Sequence, residues 1–187
     1  IRRALTIILG TNLLPASKWL FVAGGFILAL MVGYFFSWLI GCAIVGSCAL
    51  IALYLKNSHA SIRLFSLLGI SLILQAPHWY HTVSLLGSDV GHLTALKNGA
   101  MFTHAPIINK FVLAISILFL LGSIFEWKTY RRYETWWWFC AAVLFSLWAV
   151  YNQQTVTGLT IWPYHFVQYS IPLALVVFVV LGHNILA

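Results

Sequence analysis

The stretch from Trp19 to Leu55 reads WLFVAGGFILALMVGYFFSWLIGCAIVGSCALIALYL and carries no formally charged residue. As one helix it would run roughly 55 Å, against a bilayer hydrocarbon core of about 30 Å. One crossing is too few for it, so two helices are expected, turning between Ser37 and Gly41. The rest of the chain supports the same solvent. Hydrophobic residues make up 62% of its 187 positions and charged residues 7%, a balance that leaves a water-soluble surface without the charge it needs to stay dispersed. Further apolar runs predict spans over Ile62 to Tyr80, Pro106 to Phe125, Thr135 to Tyr151 and Phe166 to His183. The expected fold is all-α, a polytopic transmembrane helix bundle of about six spans. The chain opens on Ile1 with no signal-peptide pattern, and is expected to be part of a longer protein.

Charge distribution tests the division of the first stretch. Six crossings place Arg2, Arg3, Lys18, Lys56, Arg63, Lys128, Arg131 and Arg132 on one side, and only Lys97 and Lys110 on the other. With a single span from Trp19 to Leu55 the cations would divide evenly. The eight-to-two bias marks the first side as cytoplasmic, which puts the Glu126 to Glu134 loop inside. The net charge of +7 then reports topology and calls for no nucleic acid. Trp136, Trp137 and Trp138, next to that charged loop, suit a headgroup region. Ala4 to Leu14 is too short to cross and reads as an interfacial segment or the end of an incomplete span. Gly25, Ala29, Gly33, Ser37 and Gly41 recur every four residues, a stripe suited to close helix packing in lipid. Cys42, Cys48 and Cys140 lie in apolar runs and read as packing residues.

Two polar segments fall on the non-cytoplasmic side, Gln75 to Ala105 and Asn152 to His165. They hold five of the seven histidines, and packing of one against the other is expected, because their polar groups are costly to leave in lipid. Asp89 is the sole carboxylate on that side, which makes it the candidate general base or metal-binding oxygen. With Ser88 it equally suits the start of a short interfacial helix over Val90 to Lys97. His78 with His81, and Asp89 with His92, have the three-residue spacing of one helix face, yet no HExxH occurs and no metal-ligand set is closed, so no metal is assigned. There is no GxSxG, no cysteine in a polar loop, and no lysine-bearing phosphate loop. The cofactor is left open.

The run Asn152-Gln153-Gln154-Thr155-Val156-Thr157-Gly158, followed by Pro163-Tyr164-His165, resembles a segment of large bacterial multi-pass membrane proteins organised like the lipid-linked-sugar glycosyltransferases of the GT-C type. The likeness covers this loop and its flanking helix. It implies a bacterial plasma-membrane enzyme that takes a sugar from a polyprenyl-phosphate donor at the external face, with a carboxylate as base. Asp89 stands in the only matching external position of this chain. On that reading Asp89 serves as the base, His92, Gln154 and His165 orient donor or acceptor, and Lys97 meets the donor phosphate. A transporter or channel subunit, a membrane metal hydrolase and a non-catalytic structural subunit remain the alternatives.

Overall fold

The computed structural model describes residues 35–97, 100–130, 135–161 and 163–186. Trp19 to Tyr34 and the Ala4 to Leu14 segment lie outside them, as do Arg131 to Glu134. The described chain is helical, with one small ribbon. In order it forms α1 (Phe35–Tyr54), α2 (Ser58–Leu86), α3 (Asp89–Lys97), β1 (Ala100–Phe102), α4 (Lys110–Tyr130), α5 (Thr135–Tyr151), α6 (Gln154–Thr157), β2 (Leu159–Ile161) and α7 (Pro163–Leu186).

Two of these helices, α1 and α2, are long and apolar enough to cross a membrane. The apolar runs of α4 and α7 are shorter, Lys110–Phe125 and Phe166–Gly182. The expected turn between Ser37 and Gly41 is absent, because α1 runs unbroken through it. Gly41 there costs a helix only about 1 kcal/mol relative to alanine, and no proline, asparagine or aspartate offers the backbone a competing turn. The span expected to end at Tyr80 is also longer. The α2 helix continues past Pro77 to Leu86, so the polar segment from Gln75 begins as helix and becomes irregular only at Gly87.

The α1–α2 connection is among the tightest possible. Lys56 takes a left-handed conformation, φ 59°. Its N–H donates to the Leu53 carbonyl at 2.9 Å and that of Asn57 to Ala52 at 2.8 Å, the nested pair of a Schellman ending. Asn57 then starts α2, its Oδ1 accepting from the Ala60 N–H at 3.1 Å, an N-cap worth roughly 1 kcal/mol. The interface that follows uses small residues. Ala49 is buried, Gly46 leaves room for Leu68, whose Cδ2 would lie 3.6 Å from a Cβ placed there, and the Ser61 hydroxyl donates to the Ala49 carbonyl. The described part of the four-residue stripe, Ser37 and Gly41, is only half-buried; Cys42, Gly46 and Ala49 make the close approach instead.

On its other side α1 packs against α5, and α4, α5 and α7 complete the bundle. The core runs through Ile40, Val112, Phe119, Leu147, Phe166 and Val177. Hydroxyls inside it link the helices. Ser47 of α1 and Ser146 of α5 stand 2.8 Å apart. Trp137 and Trp148 of α5 donate their indole N–H to Ser123 and Ser116 of α4 at 2.7 and 3.0 Å. Trp38 donates to Ser71 of α2 at 3.1 Å. Each acceptor serine on α4 passes its own proton to a carbonyl one turn back, so both lone pair and proton are used. Such interhelical bonds contribute about 0.6 kcal/mol each in membrane bundles.

Candidate functional site at the paired polar segments

The two polar segments meet at one end of the bundle. β1 and β2 pair antiparallel, with Ala100 opposite Ile161, Met101 opposite Thr160 and Phe102 opposite Leu159. The pairing continues as a line of hydrogen bonds down to the helix ends. The Thr103 N–H donates to the Gly158 carbonyl at 3.0 Å, the Gln154 amide to the Ala105 carbonyl at 3.0 Å, and the Ile107 N–H to Asn152 Oδ1 at 2.9 Å. Asn109 closes the line. Its Oδ1 accepts from the N–H groups of Phe111 and Val112 at the start of α4, and its Nδ2 donates to the Tyr151 hydroxyl, which lies 2.9 Å from Ser170 Oγ of α7. The α5–β2 connection thus bonds the backbone of segment 103–109 at Thr103, Ala105 and Ile107.

His104 packs across this line. Its Nδ1 is 3.1 Å from the Thr155 carbonyl; a carbonyl can only accept, so Nδ1 carries a proton there. The ring lies against Gly158, whose φ is +71° and where an added Cβ would sit 3.0 Å from His104 Cε1 and Nε2. Gly158 also ends α6, its N–H donating to the Gln154 carbonyl. Both the left-handed backbone and the imidazole select glycine. Gly158→Ala is expected to cost about 1–2 kcal/mol, read as a lower thermal midpoint, while an unchanged midpoint would mean the ring does not rest there.

The predicted site residues fall in three places. Asp89, His92 and Lys97 lie on α3, all exposed. Asp89 opens the helix but does not cap it with its side chain: Ser88 Oγ accepts from the Gly91 N–H at 3.1 Å and donates to the Leu85 carbonyl at 2.7 Å. The Asp89 carboxylate has no hydrogen-bond or ion-pair partner among the described residues. His92 stacks on Phe102 of β1, ring centroids 4.4 Å apart, which ties α3 to the ribbon. Lys97 ends α3, about 12 Å along the axis from Asp89.

Gln154 is placed differently from its expected role. It is 0% exposed, its amide nitrogen is spent on Ala105, and its Oε1 finds no donor among the described residues. The side chain holds the two segments together and is not presented to an incoming substrate. His165 is the third residue of α7, and its side chain lies outside those described. His92 is thus brought against the ribbon that Gln154 anchors, with Asp89 one turn away on α3, but no set of three His, Cys, Asp or Glu side chains placed to hold a metal occurs among the described residues. Sequence reasoning passed over His104, Phe102, Asn109 and Tyr151. The apolar triplets Ala100-Met101-Phe102 and Leu159-Thr160-Ile161, set inside polar segments and the second preceded by glycine, were the available signal for strands.

No protein-family description, curated protein or solved structure matches this chain.

Proposed function

We propose that this chain is an integral membrane helix bundle of about six spans, with its joined polar segments on the non-cytoplasmic side. The observation that carries this is an inversion of polarity. Buried positions include Ser47, Ser61, Ser71, Gln75, Ser123, Ser146 and Ser170, while Ile73 is 72% exposed, Val179 66% and Leu120 60%. Each such aliphatic side chain left in water forgoes roughly 1.5–3 kcal/mol; facing lipid it forgoes nothing, and the internal hydroxyls are what lipid-embedded helices use to adhere. The 29-residue α2, about 43 Å long, then carries its last turns, with His78 and His81, beyond the apolar core. Alkaline carbonate extraction tests this: the protein should stay in the membrane pellet, and release to the supernatant would reject the reading.

For the reaction, we propose transfer of a glycosyl group from a polyprenyl-phosphate-linked sugar at that face, with Asp89 as base toward the acceptor hydroxyl. What supports it is the exposed, unpaired Asp89 beside a ribbon-stapled polar surface, together with the resemblance of the Asn152 to Gly158 loop. The full-length protein in liposomes should transfer labelled sugar to acceptor above protein-free liposomes; equal counts would reject it. A second reading, a non-catalytic structural subunit, is favoured by a specific observation. Asn152, Gln153, Gln154, Thr155 and Thr157 all make hydrogen bonds within the loop or to the facing segment 103–109, so that loop is accounted for without any substrate.

A further inference from the structure

We infer that the end of the bundle opposite the ribbon holds an anionic phospholipid, its phosphate met by Lys56, His59 and Arg63 and its acyl chain laid along α2; the inference rests on the membrane reading above. The three side chains are exposed, with no hydrogen-bond or ion-pair partner among the described residues. His59 and Arg63 are one turn apart on the same helix face, and Lys56 stands in the three-residue connection just before that helix. Continuing the face at helical spacing passes Ser66 and the partly exposed Leu67 and reaches Ile70, Ile73 and Leu74, each more than half exposed. Leu74 lies about 16 Å of rise from Arg63, close to the hydrocarbon depth of one leaflet. A cationic tip with an exposed apolar patch at acyl-chain depth matches a lipid with a negatively charged headgroup. A soluble anion would meet the cations but leave the patch unused.

The test uses the full chain in bilayers of phosphatidylcholine with a minority of phosphatidylglycerol, reading the association of spin-labelled phosphatidylglycerol relative to spin-labelled phosphatidylcholine. The unmodified protein should prefer the anionic lipid several-fold, and raised salt should reduce the preference. The double variant K56Q/R63Q should lose most of it. The charge-conserving K56R/R63K should keep it, as should K110Q at the ribbon end. Equal association of the two lipids with the inserted protein, or an equal loss in K110Q, would overturn the site. A protein that does not remain in the bilayer would overturn the membrane reading beneath it.

Discussion

Asp89→Asn is expected to lower glycosyl transfer by roughly a hundredfold or more, with little change in stability. The substitution keeps the side chain's size and removes its basicity. Stability should hold because Asp89 is exposed and without a partner among the described residues, and because the N-terminal cap of α3 belongs to Ser88. The same independence separates catalysis from structure. Loss of transfer at an unchanged thermal midpoint identifies the base; undiminished transfer dismisses Asp89 and leaves the structural-subunit reading the stronger.

Gly91→Ala should act in the opposite manner, through structure. A Cβ at Gly91 would lie 1.8 Å from the Leu85 carbonyl oxygen and 2.6 Å from its carbon. Backbone cannot yield as the end of a flexible side chain does, so the first turn of α3 must move off the end of α2. Little holds α3 in place otherwise. None of its residues is buried, and nine residues are too few for a helix to persist alone. The main contact left is the His92–Phe102 stack, worth about 1 kcal/mol. Amide exchange over residues 89–97 should rise by about tenfold or more, while α1, α5 and α7 keep their protection. Unaltered exchange in α3 would show that its approach to Leu85 is looser than described.

The two glycines also show where sequence reading runs out. Gly158 announces itself, following Thr157 at the end of a polar loop where a left-handed residue is needed. Gly91 does not, since its requirement is a carbonyl six residues earlier that only the folded turn brings near. Helix ends were legible where apolar runs met polar ones at Lys56 and Tyr151, but not at Phe125, where α4 runs on to Tyr130 through half of the segment read as a loop. The absent turn at Ser37 to Gly41 was inferred from length alone, with no turn chemistry to support it, and α1 overrode it. The meeting of the two polar segments was foreseeable from the need to satisfy their backbone. Its form was not, because three-residue strands carry too little alternation to register. Gln154 was misjudged for a related reason: a polar residue in a polar loop reads as available, and only the fold shows its amide committed to Ala105.

The central claim is that the ribbon end and the α1–α2 turn lie on opposite sides of a bilayer. Single cysteines at Thr157 and at Ser58, both exposed positions, in a background with Cys42, Cys48 and Cys140 replaced, test it in intact cells with a membrane-impermeant thiol reagent. Thr157→Cys should label at once, and Ser58→Cys only after the membrane is permeabilised. Equal labelling of both from outside would contradict the topology, and with it the external site.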